Sequence, residues 1–426
     1  MTAAAKAFPF PTVEKTLPNG LRVFVVPYDS PGIVAYYSIV RTGSRNEVEP
    51  GKSGFAHFFE HMMFRGTPKY PTEKYNKEIK AMGADSNAFT SDDMTVYHIL
   101  AGTSSLPTIV TIEADRFQHL AYAEPEFQKE ARAVLGEYNT GASDPLQKMV
   151  EVLYDKAFQT HTYKHTTLGF LRDIENMPNE FAYSRQFFDR YYRPDNVLLL
   201  VVGDVTAQQV MPLIEKHYGG WKTGPMRPEV PVEPPQKQEA RASVPWQGAS
   251  LPMLLIGFHA PACSTTDIDG VALQVLAELV FAERSPLFRR LVLDEQKVEH
   301  IDGAWERHVD PNLFTILARI KESKDLAYVE KAIYQEIARI AAEGTSEDTL
   351  AEVVSHTRYA LAGQLSTADK VALVGAEFLA LHGELSSIDD TFALLSKVTV
   401  NDVKRVASKY FNPDNRTVVI LEPEAQ

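Results

Sequence analysis

Residues 191–202, Tyr-Tyr-Arg-Pro-Asp-Asn-Val-Leu-Leu-Leu-Val-Val, are echoed about half a chain length later by residues 410–421, Tyr-Phe-Asn-Pro-Asp-Asn-Arg-Thr-Val-Val-Ile-Leu. In both copies a helical pattern with aromatic residues enters a Pro-Asp-Asn turn, and an apolar, β-branched run follows it. The matching context on both sides favours duplication over a chance similarity of two turns. We therefore interpret the chain as two homologous halves.

A proline-rich segment separates the two copies. Residues 224–235 contain five prolines, which favour an extended connection without a core of its own. A chain of 426 residues also exceeds what one hydrophobic core usually supports. We predict an N-terminal half over residues 1–222, a linker over residues 223–243 and a C-terminal half over residues 244–426.

The periodicity within the halves indicates the fold class. Residues 21–26 have the apolar pattern of a strand, and residues 326–342 have the pattern of a helix. The two kinds of segment do not alternate strictly, which favours an α+β fold over a doubly wound parallel sheet. We expect each half to form a mainly antiparallel sheet packed with helices.

Composition excludes several functions. Hydrophobic residues make up 44% and charged residues 23% of the chain, as in ordinary globular proteins. The formal net charge of −13 argues against non-specific binding to nucleic acid, which needs clustered Lys and Arg. The single cysteine, Cys263, rules out an intrachain disulfide and a cysteine-based zinc cluster. Any metal site must therefore use histidine and carboxylate ligands.

The chain has no apparent membrane or export segment. Residues 1–12 lack an apolar run of signal-peptide length. No stretch is long and apolar enough to predict a spanning helix. We expect a cytoplasmic protein without a membrane span, or a periplasmic one if a leader has been removed.

One apolar segment carries a constellation typical of a metal site. Residues 54–64, Gly-Phe-Ala-His-Phe-Phe-Glu-His-Met-Met-Phe, predict a partly buried helix. His57 and His61 are four residues apart, hence about 6 Å apart on one face, which suits two imidazoles on one zinc ion. Glu60 is placed to act as the general base on a metal-bound water. An accidental buried pair is the alternative, but two histidines with an intervening glutamate are typical of zinc hydrolases.

A third ligand must come from elsewhere in the chain. Residues 126–138 predict a helix on which Glu130 and Glu137 are two turns apart and share a face. One of them can bind the metal while the other holds a histidine or supports substrate chemistry. A solvated helix face explains the two residues equally well.

These residues resemble the pitrilysin/insulinase family of zinc metallopeptidases, which includes the mitochondrial processing peptidases. His57, Glu60 and His61 fit its inverted His-x-x-Glu-His motif, and the resemblance covers essentially the whole chain. It implies one Zn²⁺ per chain, with Glu137 as the third ligand. Glu130 matches a further family glutamate, which we group with Glu60 as catalytic.

The resemblance also suggests where a substrate binds. Residues 83–91 are similar to the family's active-site edge strand, on which a peptide pairs as an added β-strand. The resemblance therefore implies substrate-binding roles for Ser86, Asn87, Ala88 and Phe89. Without it, the alternation after Asn87 predicts only a hairpin.

One expected element of the family is missing. A full peptidase of this kind has four such halves around a closed chamber, so a chain with two halves implies a dimer. Members that complete the site from a C-terminal half use an Arg and a Tyr seven residues apart. Val292 and Glu299 occupy those positions here, and no tyrosine of the C-terminal half has an arginine seven residues before it.

We therefore predict the catalytic subunit of a heterodimeric zinc endopeptidase that hydrolyses peptides or unfolded segments. A homologous subunit would supply the Arg and Tyr. Two alternatives stay open: a non-catalytic core or assembly subunit of the same fold, and a homodimeric peptidase.

Overall fold

The computed structural model describes residues 6–423, so the outermost residues of the two predicted halves, 1–5 and 424–426, lie outside the described residues. The chain divides into two compact units. Unit 1 comprises the described parts of Met1–Asn139, His165–Pro231 and Ala362–Ile388. Unit 2 comprises the described parts of Thr140–Lys164, Val232–Leu361 and Asp389–Gln426.

Unit 1 contains a six-stranded sheet. Its strands are β1 Val13–Thr16, β2 Arg22–Pro27, β3 Ile33–Val40, β4 Asp85–Thr90, β5 Thr95–Gly102 and β6 Val197–Gly203. Their order is β1-β2-β6-β3-β5-β4, so β4 is an edge strand. β2 and β6 are parallel, and the other neighbours are antiparallel.

Unit 2 contains a five-stranded sheet. Its strands are β7 Ala240–Trp246, β8 Met253–His259, β9 Val298–Trp305, β10 Leu313–Ile320 and β11 Arg416–Pro423. The order β7-β11-β8-β10-β9, with only β7 and β11 parallel, repeats the first sheet from β2 to β4. The predicted α+β fold of two homologous, mainly antiparallel halves is confirmed.

Helices surround both sheets in the described part of the chain. They are α1 Phe55–Met62, α2 Thr72–Ala81, α3 Leu106–His119, α4 Glu124–Gly141, α5 Pro145–Ala157, α6 Leu171–Asn176, α7 Phe181–Tyr191, α8 Ala207–Tyr218, α9 Asp269–Phe281, α10 Pro286–Phe288, α11 Leu326–Glu343, α12 Glu347–Gly363, α13 Ala368–His382, α14 Ser386–Leu395 and α15 Val400–Tyr410. A π-helix spans Arg289–Asp294. No described helix is by itself long and apolar enough to cross a membrane, although α13 and α14, bent by 88°, pass that test as a pair.

The repeated sequence forms the same local structure twice. α7 leads into β6, and α15 leads into β11. In the first copy the Asn196 side chain donates to the carbonyl of Tyr191 at 2.9 Å, and in the second Asn415 donates to Tyr410 at 2.7 Å. Each asparagine satisfies a carbonyl at the end of its helix, where no intrahelical donor is available.

Two helices depart from the predicted division at residues 223–243. α5 packs on the sheet of unit 2, where Met149 and Leu153 share a core with Val419. α13 packs on the sheet of unit 1, where Tyr37 donates to Asp369 Oδ1 at 2.8 Å. Each unit therefore contains one helix from the other half of the sequence. β6 is buried along its whole length, so its sheet must be covered on both faces.

Candidate metal centre

The helix α1, which carries the two histidines, begins at a glycine that its geometry requires. Gly54 has φ +90°, and a Cβ there would lie 2.6 Å from the carbonyl oxygen of Leu168. The buried carboxylate of Glu47 accepts hydrogen bonds from the backbone N–H groups of Gly54 at 2.7 Å and Ala56 at 2.6 Å. Burial raises the pKa of Glu47 to about 8, although these donors oppose the rise. The start of the helix is thus held by a glycine and an acidic cap.

Aromatic packing orients α1. Phe58 and Phe59 are fully buried, and the ring of Phe59 stacks on Phe187 with centroids 5.4 Å apart. With those side chains in the core, His57 and His61 lie together on another part of the helix, with ring centroids 4.8 Å apart. The apolar residues of the segment therefore decide where its polar residues point.

Helix α4 presents the two candidate glutamates. Phe127 and Val134 are fully buried on its inner face. Glu130 and Glu137, two turns apart, both lie near α1, the former with 3% and the latter with 51% of its side chain exposed. The predicted helix over residues 126–138 is therefore present, and its two glutamates differ strongly in burial.

Three side chains converge on one point. The carboxylate Oε2 of Glu137 lies 3.7 Å from Nε2 of His57 and 3.4 Å from Nε2 of His61. The three ligand atoms all lie within 4.8 Å of one another. Tetrahedral zinc, with ligands about 2.0–2.1 Å away, needs neighbouring ligand atoms about 3.3–3.5 Å apart. The set fits a zinc ion, and the exposure of Glu137 leaves room for a fourth, non-protein ligand.

The protonation of His57 suits a metal ligand. Burial lowers its pKa to about 4, and the neighbouring His61 adds to the effect. A neutral imidazole is the form that binds metals. Nδ1 of His57 is buried without a hydrogen-bond partner in the described part of the chain. Its Nε2, 3.7 Å from Glu137 Oε2, is the nitrogen that faces the other ligand atoms.

Glu130 lies behind His61 and away from the convergence point. Its Oε1 is 3.0 Å from Nδ1 of His61, and its other oxygen forms an ion pair with Arg65. The hydrogen bond to Glu130 raises the pKa of His61, with burial opposing it. Burial alone would raise the pKa of Glu130, but His61 and Arg65 together lower it. A carboxylate on Nδ1 orients the ring and directs the Nε2 lone pair towards the point where the ligand atoms converge.

Glu60 faces the same region from its own side of α1. Burial raises its pKa, and a hydrogen bond from Thr90 opposes the rise. The Thr90 hydroxyl donates to Glu60 Oε2 at 2.7 Å. A raised pKa brings a carboxylate closer to the value that suits a general base. Sequence analysis assigned no role to Thr90, although Thr90 shares a face of β4 with Ala88 by the two-residue period of a strand.

The predicted substrate segment forms the edge strand β4. β4 pairs with β5 on one side, and within residues 6–423 no strand pairs with its other side. Ser86 and Ala88 belong to the face that carries Thr90, whereas Asn87 and Phe89 point to the opposite face. The strand thus brings an open backbone edge close to Glu60.

Val292 and Glu299 stand at the two positions where the family resemblance implies an Arg and a Tyr. Val292 lies in the π-helix. Glu299 lies on β9, with its carboxylate 3.2 Å from Arg319 Nη1. Neither side chain could steady an oxyanion in the way that a guanidinium or phenol does.

Models of one protein family match both halves of the chain. The model of the insulinase family, peptidase family M16, matches residues 25–170, and that of the peptidase M16 inactive domain matches residues 183–356. The chain belongs to the insulinase family. This confirms the resemblance inferred from the motif.

Relatives extend over nearly the whole chain. The zinc protease PqqE of Helicobacter pylori is 28% identical over 415 residues, which cover 96% of this chain and 92% of that protein. A probable mitochondrial-processing peptidase subunit beta of Arabidopsis thaliana is 24% identical and covers 96% of this chain and 78% of its own. The crystal structure of a protease from Helicobacter pylori superposes with a TM-score of 0.91 at 28% identity, covering 97% of this chain and all of that one.

Proposed function

We propose that this chain is a zinc-dependent endopeptidase subunit, in which His57, His61 and Glu137 hold the metal. The observation that carries the proposal is the convergence of two imidazole Nε2 atoms on one carboxylate oxygen, at 3.7 and 3.4 Å, which is close to the ligand spacing of a tetrahedral zinc site. Zinc, when bound, lowers the pKa of a coordinated water to about 7 and polarises a carbonyl group.

The protein's own residues divide the remaining work. Glu60 takes the proton of the attacking water and delivers it to the leaving amine, since its raised pKa and position beside the ligands suit both transfers. The Thr90 hydroxyl fixes the orientation of its carboxylate. Glu130, grouped with the catalytic residues from the sequence, acts instead as a positioning residue that orients His61.

The substrate is an extended peptide or an unfolded segment. Such a chain can add to the open edge of β4, at Ser86, Asn87, Ala88 and Phe89, through main-chain hydrogen bonds that tolerate varied side chains. A folded protein has few extended segments free to pair in this way. The edge strand therefore selects for conformation more than for sequence.

The active enzyme is a heterodimer with a homologous subunit. Val292 and Glu299 stand where an Arg and a Tyr would bind substrate and steady the oxyanion, so those groups must come from another chain. The relative from Arabidopsis thaliana is itself named as a subunit. Two such chains would supply four halves and could enclose a chamber around the peptide.

The first experiment measures zinc in the purified protein by elemental analysis. We expect one zinc per chain, reduced to none in the His57→Ala variant and unchanged in His356→Ala, which replaces an exposed histidine of α12. A chain without zinc that cannot be reconstituted would favour the assembly subunit and contradict the proposed enzyme.

The second experiment measures hydrolysis of a quenched-fluorescence peptide by the chain alone and with a homologous subunit that has the Arg and Tyr. We expect at least about a hundredfold gain from the partner, the usual effect of oxyanion donors. Full turnover by the chain alone would instead support the homodimeric peptidase.

A further inference from the structure

A buried ion pair lies behind α1, the helix that carries His57 and His61. Arg116 and Glu113 lie one turn apart on α3 and are 2% and 1% exposed, with Arg116 Nη2 2.5 Å from Glu113 Oε2. Nε and Nη1 of the guanidinium are buried without hydrogen-bond partners within residues 6–423. A cation removed from water in this way is costly unless other groups replace the lost solvation.

Four aromatic rings surround the guanidinium. Its central carbon lies 5.1 Å from the ring centroid of Phe64, 5.3 Å from Tyr75, 4.9 Å from Tyr97 and 5.8 Å from Phe117. Ring faces attract a cation, most strongly where water is excluded. The rings belong to the turn after α1, to α2, to β5 and to α3. One side chain thus joins four segments of unit 1.

Two of these aromatic residues, Tyr75 and Tyr97, also contact elements of the candidate site. The Tyr97 hydroxyl donates to the carbonyl oxygen of Phe59, the residue before Glu60, at 2.9 Å. The Tyr75 hydroxyl lies 3.2 Å from Glu113 Oε1 and 3.5 Å from Ser86 Oγ on β4. The ion pair is therefore linked through one tyrosine to the metal helix and through the other to the edge strand.

The homologous half shows that the fold does not need this pair. α3 and α11 each begin at a leucine, Leu106 and Leu326, directly after a 3-10 turn. Counted from those leucines, the position of Glu113 corresponds to Ile333, which is fully buried. An apolar residue there supports the same sheet. A buried ion pair also adds little stability over an apolar pair of similar volume.

We propose that Arg116 and Glu113 are positioning residues that hold the edge strand β4 in a set place relative to Glu60 and the metal ligands. They touch neither substrate nor metal and act through Tyr75 and Tyr97. The proposal rests on the proposed function, because it gives β4 the task of holding a peptide.

The test is a double variant, Glu113→Leu with Arg116→Met, which removes both charges and leaves neither unpaired. Amide hydrogen exchange of Ser86 to Thr90 should become about tenfold faster or more, while exchange in β2 stays unchanged, because only the local opening becomes easier. Zinc content and melting temperature should stay near those of the wild type. In the active complex KM for peptides should rise about tenfold, since the strand that holds them is less well placed.

The control makes the same kinds of substitution at an ion pair of the homologous half that does not correspond in position to Glu113 and Arg116. Arg339 and Glu336 form a one-turn pair on α11, 2.7 Å apart and partly exposed. Glu336→Leu with Arg339→Met should alter neither β4 exchange nor KM. If the first double variant does not fold, Tyr75→Phe removes only the hydroxyl link and should still accelerate exchange at Ser86.

Exchange that rises equally in β2 and β4 would show a purely structural role and overturn the proposal. Unchanged β4 exchange in a folded double variant, or in Tyr75→Phe, would do the same. Absence of zinc or of hydrolysis in the wild type counts against the proposed function alone, since the exchange measurement does not depend on either.

Discussion

Helices α1 and α9 occupy corresponding places in the two halves, since each follows the same strand of its sheet, β3 or β8. α1 carries His57, Glu60 and His61 on a buried aromatic base. α9 is almost wholly apolar and contains no histidine. The sheets need only the apolar pattern of these helices, so a few polar residues are enough to confine the candidate metal ligands to one half.

The two helices also begin differently. At the start of α1, Glu47 is buried against backbone N–H groups. At the start of α9, Asp269 accepts from Lys409 at 2.8 Å and Tyr410 at 2.6 Å and pairs with Arg405. The first half holds the start of its helix with hydrogen bonds from backbone N–H groups to Glu47, whereas the second uses an ion network around Asp269. Variants in matched positions can separate fold from chemistry.

The largest effect is expected for Glu60→Gln in α1. Hydrolysis by the active complex should fall by about 10²–10⁴-fold, because the amide cannot take up the proton of the attacking water. Zinc content should not change. Glu278→Gln, which changes the one glutamate of α9, is the control and should leave turnover unaltered. Undiminished turnover in Glu60→Gln, or loss of zinc from this variant, would contradict the role of Glu60 as general base.

A smaller effect is expected for Glu130→Gln. Loss of the carboxylate behind His61 should weaken zinc binding by about 10–100-fold, as found for partners of metal-bound histidines. Competition with a chelator measures this affinity. Glu124→Gln, at the exposed start of α4, should bind zinc as the wild type does. Equal affinities in the two variants would show that Glu130 does not orient the ligand.

The start of the metal helix can be tested with two glycines. Gly54→Ala places a Cβ against a carbonyl oxygen at positive φ, whereas Gly51→Ala, at φ +79°, meets nothing within 4 Å. The free energy of unfolding of the Gly51 variant should fall only by the cost of that backbone conformation, about 1–2 kcal/mol. The free energy of unfolding of the Gly54 variant should fall clearly further, because the new Cβ also meets the carbonyl oxygen of Leu168. Urea unfolding of both variants measures the difference, and equal losses would show that Leu168 moves aside.

The smallest effect concerns Asp269 and acid. Burial would raise its pKa, but hydrogen bonds from Lys409 and Tyr410 and the charge of Arg405 lower it to about 2. Because the folded pKa lies below the unfolded value of about 3.9, this stabilisation is present above about pH 4 and is lost as pH falls towards 2. Asp269→Asn should be less stable at pH 7 and lack this acid dependence. Thermal melts measure this. If the melting temperatures of the wild type and Asp269→Asn changed with pH in the same way, this role of Asp269 would be contradicted.

Local patterns in the sequence predicted much of this architecture. The Pro-Asp-Asn repeat indicated two helix–turn–strand units, and both are present with the same asparagine contact. The period of residues 326–342 predicted α11 almost to its ends. The spacing of His57 and His61 placed two imidazoles together, because residues four apart share a helix face.

Other parts of the site were beyond local patterns. Glu130 and Glu137 share a face of α4, so spacing alone left their roles open, and only the approach of α1 separates them. Glu47 reaches the helix start from a preceding loop, and Thr90 reaches Glu60 from a strand end. Neither contact has a periodic signal, since each depends on how separate segments pack.

By itself, the sequence determined the two homologous halves, the apolar faces of their helices and the histidine pair, all of which follow from turn chemistry and backbone periods. Only the tertiary structure decided which sheets α5 and α13 cover, that Glu130 lies against Nδ1 of His61, and which charges are buried behind the site. An apolar face shows that a helix must be covered, but long-range packing selects the surface that covers it.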